Sequence, residues 1–225
     1  MQTKEKTAAS RPLRIAHKPA SRTRTYPRRT PGVGAHGRVP EISAHTERPV
    51  TITKEKLRVI PIGGMEEVGR NMTVLEYEND IMIIDMGLQF PEENMPGIDY
   101  IIPNISYLVP RRKNIRGVII THAHYDHIGG IPHIMPRLGM DIPLFGTDIT
   151  LAIIQKRQED YHDISGTLKT REITNNTRVK LGVFEITFFG VSHNVPGSVG
   201  VIIKTPAGII VHTGDFKLDL KSDIA

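Results

Sequence analysis

A layered α+β fold is what the sequence predicts, and three observations predict it. From about residue 57 onward the chain is broken into short apolar runs, the length of strands rather than helices. Only residues 128–138 and 148–160 carry helical spacing. Four of the apolar runs end at a His or an Asp, the pattern by which layered sheets deliver side chains to one edge.

Taken in order, residues 57–62, 72–77 and 81–85 are the first three strands. The glycine-rich stretch from Gly63 to Gly69 separates the first two, either as a turn or as backbone that approaches a ligand. Asn79-Asp80 makes the next turn. Residues 86–116 are irregular, with prolines at 91, 96, 103 and 110. Residues 117–121 read as a buried strand that stops at a histidine. Pro132 and Pro136 limit residues 128–138 to a short helix. Residues 148–160 make a better one, capped by Thr147 or Asp148. Residues 178–181, 183–189, 199–205 and 208–212 return to strand, with Pro206-Ala207-Gly208 as the hairpin turn between the last two.

The 225 residues fit one large domain or one domain with a tail. Residues 1–50 hold eleven Lys/Arg against three acidic residues, a net of +8; residues 51–225 hold 18 against 21, a net of −3. Six of the sixteen prolines lie in the first fifty residues. Such a segment has too little apolar surface to offset its ordering entropy, so residues 1–52 are expected to be a disordered basic extension and residues 53–225 the folded domain. The extension fits an electrostatic arm for RNA or another polyanion, or a tail that only aids solubility. Its prolines spoil the amphipathic helix of a transit peptide.

Composition excludes several classes. With no cysteine there is neither a disulfide framework nor a thiolate zinc site. No tryptophan, and aromatics at 5%, weaken any scheme built on aromatic base-stacking. No apolar run approaches the ~18 residues of a membrane span and the N-terminus has no apolar signal core, so a cytoplasmic protein without membrane association is expected.

The chemistry concentrates in Thr121-His122-Ala123-His124-Tyr125-Asp126-His127, three imidazoles and a carboxylate directly after a strand. Imidazole offers a neutral nitrogen ligand and carboxylate an anionic oxygen. His122 and His124 face the same way on extended backbone; Asp126 and His127 follow the bend and can serve a second centre. Three more strands end in Asp85, in Ser192-His193-Asn194 and in Gly214-Asp215-Phe216. One Asp after a strand is a turn residue; four coincident cases point to a shared site. Nitrogen and oxygen donors without sulfur suit Zn²⁺, with Mn²⁺ or Fe as substitutes. Two centres ~3.5–4 Å apart sharing a carboxylate would be a two-metal hydrolytic arrangement.

His122-x-His124-x-Asp126-His127, with Asp85 upstream and His193 and Asp215 downstream, resembles the metallo-β-lactamase superfamily. The flanking words narrow the resemblance. Gly63-Gly64-x-x-Glu67-Val68-Gly69-x-Asn71-Met72, Asp85-Met86-Gly87-Leu88-x-Phe90-Pro91, Gly97-Ile98-Asp99, Gly129-Gly130-Ile131-Pro132, Ser192-His193-x-x-Pro196-x-Ser198-Val199-Gly200 and His212-Thr213-Gly214-Asp215-Phe216-Lys217 resemble ribonuclease J across about residues 57–219.

The resemblance implies an αββα sandwich, two Zn²⁺ ions and hydrolysis of RNA phosphodiester bonds, as endonuclease and 5′-to-3′ exonuclease in RNA decay and maturation. Carried over, His122, His124 and His193 hold one metal, Asp126 and His127 the other, and Asp215 bridges them, so that Asp126, His127 and Asp215 stand at the chemistry. Asp85 orients the cluster, and Ser198 lies near substrate phosphate. Homodimers or homotetramers are implied for a full-length member. The family continues beyond this point into a β-CASP insert, the rest of the sandwich and a further metal-binding histidine. This chain ends at Ala225, so the sandwich is expected to be incomplete, and the chain to be a fragment or an inactive RNA-binding module. A hydrolase of small thioesters or lactams is the other alternative.

Several residues stay outside the site on this reading. His212 is a satisfied histidine in the core or near the site. His133 is structural and His162 on the surface. Tyr125 lines a substrate channel or faces solvent.

Overall fold

Alternation along the strands decides how the molecule is layered. The computed structural model describes residues 56–161 and 166–218. The first sheet contains β1 (Leu57–Gly63), β2 (Met72–Tyr77), β3 (Asp80–Ile84), β4 (Ile115–Ile119), β5 (Leu144–Gly146) and β6 (Thr170–Glu172), in that spatial order. The pairs β1–β2 and β2–β3 are antiparallel; β3–β4, β4–β5 and β5–β6 are parallel. The second sheet runs β10 (Gly208–His212), β9 (Val199–Thr205), β8 (Phe184–Gly190), β7 (Arg178–Leu181), antiparallel throughout.

Successive strand residues point to opposite faces, so a strand buried on both faces reads as continuously apolar. In β2 and β3, Val74, Ile81 and Ile83 pack into one core, while Leu75, Met82 and Ile84 enter another. The first core lies against α2 (Ile131–Leu138) and α3 (Asp148–Gln158), through Ile134, Leu138, Leu151 and Ile154. The second is the seam between the sheets, filled from the other side by Phe184, Ile186, Val201 and Ile203. The layers are therefore helix, sheet, sheet. Among the described residues the outer face of the second sheet has no helix, and Ile202, Ile209 and Val211 are exposed there.

The structure differs from the sequence expectation in three places. Residues 104–114 form two 3-10 turns, Ile105–Tyr107 and Val109–Asn114, where irregular chain is expected. The three-residue strands β5 and β6 carry no pattern of their own and exist because β4 offers β5 a parallel partner and β5 offers one to β6. Asp126 and His127 sit on α1 (Tyr125–Ile128), a single helical turn. Pro132 occupies the first turn of α2, where its missing N–H costs nothing, and the helix tolerates Pro136 inside. The basic extension 1–52 and His162 lie outside the described residues. No helix among the described residues is long and apolar enough to cross a membrane.

Candidate metal centre

The ends of β3, β4, β8 and β10 meet at one edge of the two sheets. Asp85 follows β3 with φ at +62°, in the left-handed region that non-glycine residues rarely adopt. Its N–H donates to the Ile119 carbonyl at 2.8 Å, so β4 holds the turn. Its buried carboxylate accepts from the Thr121 N–H at 2.8 Å and from the Thr121 hydroxyl at 2.9 Å. The His127 Nδ1–H donates to the same carboxylate at 2.8 Å. Fixing Nδ1 leaves Nε2 facing outward, 3.5 Å from both the Asp126 and the Asp215 carboxylates. Val199 N–H donates to Thr121 O at 3.0 Å, which ties the second sheet to this edge.

Asn71, just before β2, reaches into the same place. Its Nδ2 lies 3.1 Å from Asp126 Oδ2 and 3.1 Å from His127 Nε2. Its backbone N–H donates to the Asp126 carbonyl at 3.0 Å, and its own carbonyl accepts from the Gly87 N–H at 2.9 Å. A Cβ at Gly87 would overlap the Asp126 carbonyl oxygen, so only glycine lets the strand and α1 close this tightly.

A second set of donors sits beside it. The buried His122 ring is held by the Thr121 hydroxyl, 3.0 Å from Nδ1. His122 Nε2 is 3.0 Å from His124 Nδ1, and His193 Nε2 is 3.2 Å from the same atom. The three rings stand edge to face, with centroids 4.7–4.9 Å apart. His122, His124, His193 and Asp215 each offer one ligand atom, all within 4.8 Å of one another. Asp126, His127 and Asp215 do the same, so Asp215 belongs to both groups.

Protonation states follow from the surroundings. Burial and the neighbouring His127 push the His122 ring down to about 4, so it is a neutral nitrogen donor. Burial also pushes His193 down, against the pull of Asp215. Burial opposes charge on His127 too, but Asp85, Asp126 and Asp215 outweigh it and lift the ring to about 9. Burial likewise opposes charge on Asp85, yet the His127 imidazolium and the Thr121 N–H hold its carboxyl below the usual range. The negative field that keeps the His127 ring charged also favours a metal cation at this point.

The donor set fits a divalent metal. Imidazole nitrogens converge on one another at 3.0–3.2 Å, and one proton cannot satisfy three such atoms. The donors are nitrogen and oxygen only, on elements held by both sheets.

Two further described histidines are not among the donors. His212 Nδ1 accepts from the Gly214 N–H at 3.1 Å. It borders a cavity of about 300 Å³ together with Asn71, Asp85, His127 and Asp215. His133 stacks on Tyr100, centroids 4.1 Å apart. Tyr125 is 40% exposed. Ser198 is buried, and its hydroxyl donates to the Val195 carbonyl at 2.7 Å, inside the turn after His193. Thr121 and Asn71 are the site residues to which sequence reasoning gives no role. Their partners lie 36 and 55 residues away, and neither is a metal-ligand type.

A family profile described as a beta-lactamase superfamily domain matches residues 95–222. Ribonuclease J of Thermus thermophilus is 41% identical over 170 residues, covering 74% of this chain and 30% of its own length. Ribonuclease J2 of Bacillus subtilis is 40% identical over 166 residues, covering 73% and 29%. The chain thus spans about a third or less of the length of these curated relatives. A crystal structure of a protein of unknown function from Enterococcus faecalis V583 superposes with a TM-score of 0.57 at 20% identity, covering 72% of this chain and 44% of that one, which is a likeness of fold. The profile takes in more than half of the sequence, including both histidine segments and Asp215, and the chain belongs to the metallo-β-lactamase superfamily.

Proposed function

We propose that this chain carries the metal centre of a ribonuclease of the J type, hydrolysing RNA phosphodiester bonds with two zinc ions. The observation that carries the reading is the pair of donor groups that share Asp215. The similarity to ribonuclease J of two bacteria supports RNA as the substrate.

On this reading His122, His124 and His193 would offer three nitrogens to one ion, and Asp126 a carboxylate oxygen and His127 a ring nitrogen to the second, with Asp215 within reach of both. Bound ions supply positive charge that polarises a phosphoryl oxygen and eases deprotonation of water. Asp85 acts through His127, keeping Nδ1 protonated and Nε2 aimed at the cluster. Thr121 braces Asp85 and His122 together. Asn71 Nδ2 donates to Asp126 Oδ2, the same oxygen that lies 3.5 Å from His127 Nε2, and so fixes that carboxylate beside the ring. Ser198 fixes the turn that carries His193 and, on this reading, lies near substrate phosphate. The basic extension, residues 1–52, is an electrostatic arm for the same RNA, and the metal-binding domain begins at residue 53.

The test is cleavage of a labelled single-stranded RNA by the full chain, with metal content measured in parallel. EDTA and His122→Ala are each expected to abolish cleavage, with about two zinc ions per chain before treatment. Cleavage that persists in His122→Ala would overturn the metal assignment. RNA binding that survives EDTA and falls with salt, without any cleavage, would leave a binding module instead.

A further inference from the structure

Aromatic residues are scarce in this chain, but the structure links four of them, Phe90, Tyr125, Tyr161 and Tyr100, by a run of ring and guanidinium contacts that includes the histidine turn. Tyr125 lies between His124 and Asp126, with its ring turned outward. Phe90 stands 6.3 Å from it, centroid to centroid, and is 66% exposed. On the other side the Arg157 guanidinium lies 5.2 Å from the Tyr125 ring and 5.5 Å from the Tyr161 ring. Tyr161 meets His133 edge to face at 5.3 Å, and His133 stacks on Tyr100 at 4.1 Å. Tyr100 is itself 42% exposed. Planar groups therefore follow one another in steps of 4.1–6.3 Å, from the histidine turn outward.

We propose that this strip, with Phe90, Tyr125 and Tyr100 as its open faces, is a stacking track for unpaired nucleobases. The strand it takes is the one whose phosphodiester sits at the donor cluster, so the proposal rests on the ribonuclease reading. Two features favour a nucleic-acid strand over an apolar protein surface. Tyr125 has metal-ligand residues on both sides of it in the chain, so a strand with phosphate at the cluster brings its neighbouring bases to that ring. The strip also alternates rings with polar edges and a guanidinium plane, the surface on which single-stranded bases stack irrespective of sequence. A duplex has no free base faces to offer and is not accommodated.

The experiment measures binding by the full chain in EDTA at moderate salt, so that cleavage plays no part. Two probes of equal length are compared, a fluorescent single-stranded oligoadenylate and its abasic counterpart. Phe90 and Tyr100 are partly exposed, and thermal melting verifies that Phe90→Ala and Tyr100→Ala fold. Each is expected to weaken oligoadenylate binding by about tenfold and to leave abasic binding unchanged, and Phe90→Trp to restore it. Variants that bind both probes like the parent, or lose both equally, overturn the track. So does loss of self-association in Phe90→Ala with oligoadenylate binding intact, which would assign the face to a second copy. A chain that stacks bases through Phe90 but never cleaves RNA with metal would sink the ribonuclease reading alone.

Discussion

Asp85 and Glu76 are both buried carboxylates of the first sheet, and they do opposite things. Asp85 is 2% exposed and Glu76 5%. Each is held by a hydroxyl and a potential cation. Around Asp85 these are Thr121 and His127; around Glu76 they are the Tyr107 hydroxyl, which donates to it, and Arg58 at 3.5 Å. Burial and pairing alone therefore do not mark a functional site. The difference is where each network ends. The Glu76 network closes on Tyr107 and on Arg111, whose guanidinium caps the Tyr107 ring at 4.1 Å. The Asp85 network ends on His127 Nε2, which faces two further carboxylates at an open edge. A carboxylate that orients a group with a ligand atom to spare builds a site; one whose partners are all consumed only holds the sheet.

The largest effect should come from breaking the first network. Asp85→Ala leaves the Thr121 N–H and the His127 ring without their buried partner. The loss in the metal-free chain is expected to be about 3–5 kcal/mol, the cost of stranding one half of a buried pair. Metal affinity should fall about 10- to 100-fold, because the imidazole loses the contact that aims it. Urea denaturation and metal content check the two effects separately. Unchanged metal affinity would mean that Asp85 is a structural carboxylate like Glu76.

The same contrast shows how far the sequence could be read. The ligand-type residues of the centre stand out because His and Asp at strand ends are conspicuous in themselves. The strands of the first sheet that bury two faces are equally plain, since β2 and β3 consist largely of apolar residues. What escapes is whatever depends on a distant partner. Thr121 and Asn71 are ordinary residues until the fold brings Asp85 and Asp126 to them. Three-residue β6, with its polar Thr-Arg-Glu sequence, is a strand only because β5 lies alongside. Glu76 inside an apolar strand gives no sign of Tyr107, thirty-one residues on. The aromatic strip escapes for a different reason: a low overall count of rings says nothing about whether they are clustered.

A smaller effect is expected from opening the second network. Tyr107→Phe removes the hydroxyl that donates to Glu76, a bond strong enough to raise the phenol's pKa. Glu76 keeps Arg58, so the carboxylate is left partly satisfied rather than stranded. The cost should be about 1–3 kcal/mol. Metal content and RNA cleavage should stay at the parent's level, which separates this carboxylate from Asp85. Lost metal in Tyr107→Phe would show that the two networks are coupled through β2 and β3, and the contrast between them would fail.

The smallest effect belongs to a third kind of carboxylate, Glu159, which pairs with Lys156 at 2.6 Å across α3. The geometry is as short as any ion pair around the buried acids, and the pair raises the lysine's pKa. Both side chains are mostly in water, however, which screens the attraction and lets either charge be solvated alone. Lys156→Ala is therefore expected to leave the melting temperature and the metal content unchanged within error. A clear drop in either would mean that pairing distance, rather than burial and where a network ends, decides what a carboxylate is worth in this fold.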